Sequence, residues 1–305
     1  MRSFSFIRSS TQSSVAWIEF HRRPVNAFTR DMVVETRDAI ASALSDPTAR
    51  VVVVASAIGE YFSAGADLRE FERMKAPDMR EWVSLCHETA RLLRTSPKPL
   101  LAAIAGTAVG GGLELTLHCD LRFAAADARL GQPEIRIAFI PPIATTQALA
   151  RLLGRPRAIR YLYEGRMMDA SEALAWGLID EVVRPEELRQ RVQAYAEDLA
   201  SKPAAALAAI RRTVTLGGGM TFEDGMALEM ETATALADTD DFAEGVSAFE
   251  QASTAMGLRG IRPQRGTYST TSRRTRHRLR RHRRPHRRRR QLPRASTAFL
   301  RSSGP

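Results

Sequence analysis

Apolar positions along this chain fall into two rhythms that alternate. Runs at 15–20, 51–55, 100–104 and 121–125 read as strands, and the second carries four consecutive valines, Val51 to Val54, the pattern of a strand buried on both faces. Between and after them, apolar residues recur at helical spacing over 29–44, 79–94, 111–118, 144–153 and 185–200. The last of these starts with Pro185 and repeats Leu188, Val192, Tyr195 and Leu199. Beyond Lys202 only the helical rhythm continues, over 203–216, 221–237 and 240–256. A β/α half followed by an all-helical segment predicts a catalytic domain over 1–200 and a helical appendage over 201–260. Near the N-terminus, Phe4, Phe6, Val15, Trp17 and Ile18 predict two strands around a polar turn at 8–14, a pattern favoured over a targeting leader.

Composition changes this picture in one place. The chain has 305 residues, 44% of them hydrophobic, enough for a substantial core. No apolar run approaches the roughly 18 residues of a membrane span. Two cysteines, Cys86 and Cys119, are too few for a disulfide framework, and no Cys/His spacing suits a metal. The chain reads as intracellular, with the cytoplasm as its expected place. The net charge of +11 is unevenly spread: 15 arginines and no acid lie between Pro263 and Pro305, leaving 30 bases against 34 acids before them. An arginine-rich, acid-free and apolar-poor stretch over 261–305 predicts a disordered tail. Lysine occurs only at Lys75, Lys98 and Lys202. That bias suggests a GC-rich gene, and a shifted reading frame after about Phe249 accounts for such a tail better than an evolved basic arm.

Unusual residues concentrate between Tyr61 and Pro142. Ser63-Ala64-Gly65-Ala66-Asp67 follows the valine strand; its small residues let backbone N–H groups approach a ligand, and Asp67 sits where a helix cap belongs. A well-capped strand-to-helix turn explains the same residues. Gly110-Gly111-Gly112-Leu113-Glu114 follows the strand at 100–104. Free N–H groups there could bind an oxyanion or a phosphate, though a flexible turn fits as well. Neither a phosphate loop with its lysine nor the spacing of a dinucleotide fingerprint is present. Glu114 stands among Leu113, Leu115 and Leu117, and twenty residues later Glu134 follows Gly131-Gln132-Pro133. Two carboxylates in apolar company beside a glycine-built anion site can serve as acid and base. His21, His87 and His118 stand alone and suggest structural or surface roles, and Ser63 lacks a nucleophile-elbow sequence.

Taken in order, these motifs resemble the enoyl-CoA hydratase/isomerase (crotonase) superfamily, in its hydratase branch. The matching residues are Ser63 to Leu68, then Ala105-Gly106, Ala108 and Gly110 to Leu115, then Cys119-Asp120, then Gly131 to Glu134. Pro24-Val25-Asn26-Ala27-Phe28 resembles the family's Asn-Ala-Leu element, and 170–183 its Ala-x-x-x-Gly-Leu-Val stretch. The resemblance spans about 15–249. It implies an α/β fold, a spiral of ββα units with C-terminal helices that assemble a trimer or a dimer of trimers. It implies that the N–H groups of Ala66 and Gly111 form an oxyanion hole for a thioester carbonyl. Ala64, Gly65, Asp67, Leu68 and Gly110 would line the acyl-CoA site, with Arg69 reaching a phosphate. Glu114 and Glu134 would hold a water that adds to C3 of a 2-enoyl thioester, Glu134 protonating C2. Coenzyme A enters as part of the substrate, and no separate cofactor is implied.

One stretch departs from the family. Where Pro-Gly-x-Gly-Gly-Thr-Gln is usual, this chain has Pro141-Pro142-Ile143-Ala144-Thr145-Thr146-Gln147. Pro142 has no N–H to offer a water, and Ile143 and the threonines should reshape the acyl pocket. This resembles hydratases of cyclic dienoyl-CoA, so a ring-bearing or branched acyl group stands beside the straight-chain default. Other activities on the same scaffold are an isomerase, which usually keeps one acid, a hydrolase or a decarboxylase. A nucleic-acid role would rest on nonspecific attraction to the tail, and a non-catalytic assembly role would leave both acids unexplained.

Overall fold

A computed structural model describes residues 4–255. β1 (Ile7–Gln12) and β2 (Val15–Phe20) form an antiparallel hairpin closed by Ser13 and Ser14, at φ 49° and 62°. Positive φ at both positions gives the two-residue turn whose hand matches strand twist. The stretch 8–14 is therefore mostly strand rather than turn. β1 lies on the sheet edge with only Ile7 buried, so it shows no apolar alternation to read.

After α1 (Arg30–Ser45), capped by the Thr29 hydroxyl, the chain repeats a path of long strand, short strand, helix. The first turn is β3 (Val51–Ser56) and β4 (Tyr61–Ser63) with α2 (Leu68–Phe71) and α3 (Ala76–Arg94). The second is β5 (Leu100–Ile104) and β6 (Thr107–Val109) with α4 (Gly111–Thr116). The third is β7 (Leu121–Ala125) and β8 (Arg129–Gly131), then a 3-10 turn at Glu134–Ile137, α5 (Thr145–Leu153) and α6 (Arg155–Glu164). β9 (Met167–Asp169), α7 (Ala170–Trp176) and β10 (Glu181–Val183) follow. The 3-10 turn Pro185–Glu187 leads into α8 (Leu188–Ala200), and α9 (Ala204–Gly217), α10 (Phe222–Ala237) and α11 (Asp240–Ala255) complete the described chain.

Five longer strands and the three-residue β10 collect in one sheet of order β1-β2-β3-β5-β7-β10, parallel from β2 onward. Short strands collect in a second, β4-β6-β8-β9, whose last pair is antiparallel. Each turn adds one strand to each sheet, which makes the path a spiral. The valines of β3 and the Leu100–Ile104 run sit at its centre, Val51 to Val54 fully buried, as strands covered on both faces should be.

The helix expected at 111–118 ends at Thr116, and that at 185–200 opens with a 3-10 turn. β4, β6, β8, β9 and β10 have three residues each and escape detection, because three positions cannot display a period of two. Met256 of the expected last helix, the boundary at 260 and the arginine-rich stretch 261–305 lie outside the described residues. No described helix is long and apolar enough to cross a membrane.

Candidate active site

Successive turns of the spiral meet at their glycines. Gly65 has φ +84°, and a Cβ there would stand 2.9 Å from the Val109 carbonyl oxygen and 3.5 Å from the Gly111 nitrogen. Only glycine lets the 64–68 segment lie this close to the start of α4. Asn26, fully buried, holds the preceding loop in place: its amide donates to Ser56 Oγ (2.8 Å) and to the Phe62 carbonyl (3.1 Å). Phe28 then forms a parallel bridge with Ala66, donating to the Gly65 carbonyl (2.7 Å) and accepting from the Asp67 N–H (2.8 Å). The bridge uses the groups on either side of Ala66, so the N–H of Ala66 itself faces away from Phe28. Gly111 opens α4, where an N–H has no acceptor within the helix. Among the described residues neither N–H donates to a backbone carbonyl. Ala66 and Gly111 line one cavity of about 300 Å³.

Two carboxylates face the same cavity. Glu114, on α4, is fully buried. Its Oε2 accepts from the Ile143 N–H and the Thr145 hydroxyl, each at 2.7 Å, while Oε1 has no partner among the described residues. Glu134 enters from the 3-10 turn. A Cβ at Gly110, where φ is +50°, would lie 2.6 Å from Glu134 Oε1, so glycine there makes room for the second acid. The buried Gln132 amide, oriented to donate, reaches Glu134 Oε2 at 3.0 Å. Burial pushes Glu114 up to about 8, and the charge of Glu134 adds to this against the Thr145 and Ile143 bonds. Burial also pushes Glu134 up, to about 7. Near neutrality such a pair shares a proton, one member ready to accept and the other to donate.

Of the residues singled out from sequence, Ala64, Gly65, Ala66, Leu68, Gly110, Gly111, Glu114, Glu134 and Pro142 line this cavity. Asp67 and Arg69 do not. Asp67 caps α2 and binds Arg69 (2.7 Å) and Arg22 (3.1 Å), which hold its carboxyl down to about 2. The Arg69 side chain is otherwise exposed. Sequence reasoning missed the aromatic wall of Phe28, Phe71, Trp82 and Phe139. It also read Ile143 and Thr145 only as bulk, whereas both anchor Glu114. Pro142 indeed has no donor to give, and the donors come from its successors. No local signal marks these contacts, because 29 and 31 positions separate Glu114 from its partners.

Two carboxylates with raised pKa beside unused backbone donors are an arrangement suited to acid–base chemistry on a carbonyl substrate, one whose oxygen gathers charge as it reacts. The chain belongs to the enoyl-CoA hydratase/isomerase family, whose profile matches residues 10–255. It is 33% identical to a crotonyl-CoA hydratase of Syntrophomonas wolfei over 74% of this chain and 87% of that one. It is also 33% identical to an (E)-benzylidenesuccinyl-CoA hydratase of Thauera aromatica, over 77% and 92%. The crystal structure of an enoyl-CoA hydratase from Bacillus anthracis superposes with a TM-score of 0.78 at 32% identity, covering 81% of this chain and 97% of that one.

Proposed function

We propose that this protein hydrates 2-enoyl-CoA thioesters, adding water across C2=C3. The observation that carries the reading is the Glu114–Glu134 pair, two carboxylates with raised pKa on one cavity beside the unused N–H groups of Ala66 and Gly111. Those two N–H groups donate to the thioester oxygen and stabilise the enolate that forms as water attacks C3. The acids hold the water between them. The pair reacts from the arrangement in which its shared proton sits on Glu134: as the C3–O bond forms, Glu114 takes the water's proton and Glu134 gives its proton to C2. One proton leaves the pair and one enters it, so a single transfer between the two resets them. A double-bond isomerase needs only one acid, and two favour hydration.

The 64–68 backbone and Gly110 suit the CoA chain, and the exposed Arg69 head suits one of its phosphates. The scheme uses no cofactor, since the CoA thioester is the substrate. Straight-chain 2-enoyl-CoA is the first reading for the acyl group. A ring-bearing acyl group is the second, favoured by Pro142, Ile143, Phe71, Trp82 and Phe139 along the cavity. Assembly as a trimer or a pair of trimers is supported by apolar side chains exposed on α9, α10 and α11. A cytoplasmic location fits two buried cysteines that form no disulfide.

Glu114→Gln and Glu134→Gln, assayed by loss of the conjugated thioester absorbance over straight, branched and cyclic enoyl-CoA, should each lower kcat about 10²–10⁴-fold. Near wild-type turnover in either variant, on the best substrate, would exclude the two-acid mechanism.

A further inference from the structure

We propose that His118 is a positioning residue for the acid–base pair: it clamps the Ile143 backbone so that the Ile143 N–H and the Thr145 hydroxyl hold Glu114 in its working orientation. The proposal rests on the reading of Glu114 as a member of that pair.

His118 stands four residues after Glu114, just past the end of α4, and both side chains reach the same segment. Both are buried, His118 at 4% exposure and Glu114 at 0%. Ile143 is held by both of its backbone groups: its N–H donates to Glu114 Oε2 at 2.7 Å, and its carbonyl lies 2.6 Å from His118 Nε2. A carbonyl can only accept, so the ring's proton sits on Nε2 and Nδ1 is a lone pair, without a partner among the described residues. Burial lowers the His118 pKa to about 4 against the pull of the Ile143 carbonyl, and the charges of Arg94 and Arg122 add to the lowering. The ring is therefore neutral, and the clamp persists, through the physiological range.

Besides the packing of the buried Ile143 and Thr145 side chains, few polar ties hold this backbone among the described residues. Pro141 and Pro142 contribute no N–H groups. Ala144 sits in the left-handed region at φ 52°, a conformation unfavourable for a residue with a Cβ, and no side chain caps the start of α5. Yet this segment must present two donors to a single oxygen. With Oε2 saturated in this way, Oε1 is the oxygen left for chemistry. His118 does not line the cavity, so its effect on substrate passes through Ile143. Without it the turn relaxes, both donors drift, and Glu114 loses bonds that favour its ionised form.

His118→Leu keeps the apolar bulk and removes the donor; His118→Gln returns an N–H close to the place of Nε2. The leucine variant should lose roughly tenfold or more in kcat with KM little changed, the scale of misplacing a group at the reacting centre. The acid limb of its kcat/KM profile should move to higher pH. Glu134 and the Cys86 thiol are the titratable groups facing Glu114, and burial together with the charge of Glu114 keeps that thiol protonated, so the limb reports the carboxylate pair. The glutamine variant should recover most of kcat and the original limb. A leucine variant with wild-type kcat and profile overturns the clamp. So does a folded glutamine variant with depressed kcat or a displaced limb, and this arm stands even if the leucine variant does not fold. Glu114→Gln run alongside separates the two levels: if it is inactive while His118→Leu is normal, only the clamp fails; if it stays active, the reading beneath fails.

Discussion

Glu114 is an acid whose burial is tolerated because its neighbours were arranged for it. Its pKa is raised from an ordinary 4.5 to about 8. Between those values the folded protein keeps a proton that the unfolded chain releases, so stability declines as pH rises through that window. Glu114→Gln removes the cost of ionising a buried group while its amide oxygen can still accept from Ile143 and Thr145. Its melting temperature should exceed that of wild type by a few degrees at about pH 9 and match it at about pH 5. Thermal melts at the two pH values check this; equal melting temperatures at the alkaline value would mean that the folded protein does not raise this pKa. The twenty-residue spacing of the acids and the glycines before α4 were legible in the sequence. His118 and Thr145 were not, since one looked isolated and the other merely bulky until folding brought the 143–145 segment onto α4.

At the scale of elements, the helices after Lys202 are tied to the spiral by one buried guanidinium. Arg211 of α9 donates to Asp120 Oδ2 (2.8 Å), the Ser96 carbonyl (2.6 Å) and the Leu93 carbonyl (2.7 Å). The same Asp120 oxygen accepts from the Leu100 N–H at the start of β5 (2.8 Å). α9, α3 and β5 thus share one polar knot. Arg211→Ala leaves Asp120 without its cation and takes a charged donor from the Ser96 and Leu93 carbonyls, and should cost on the order of 3 kcal/mol. Denaturant unfolding measures the loss, and a midpoint unchanged from wild type would show that α9 docks by other contacts. The amphipathic rhythm revealed α9 as a helix, and Cys119-Asp120 stood out only as part of a motif. That Asp120 receives Arg211 from 91 positions away is a product of packing.

For the whole molecule, the helical appendage exposes what a core would bury. Val214 is 71% exposed, Phe222 78%, Met230 73% and Phe249 75%, all on α9, α10 or α11. Isolated exposed apolar residues are ordinary, but large side chains gathered on successive helices support the proposed assembly, in which another copy would cover them. Phe222→Asp combined with Met230→Asp should convert a trimer or hexamer into monomers while leaving the spiral folded. Light scattering after size exclusion gives the mass and circular dichroism the fold; an unchanged mass would move the assembly surface elsewhere on the molecule.

The sequence by itself determined four strands of the large sheet, eight of the helices in their order, the glycine elements and the spacing of the two candidate acids. These follow from periodicity, from conformations only glycine adopts freely, and from carboxylates set in apolar company, all of which are local. Only the tertiary structure decided that the four short strands form a second sheet, that Asp67 spends its charge on Arg22 and Arg69, and that Ile143, Thr145 and His118 support Glu114. Those outcomes depend on contacts between turns of the spiral, and a contact energy between residues tens of positions apart leaves no period in the chain to be read.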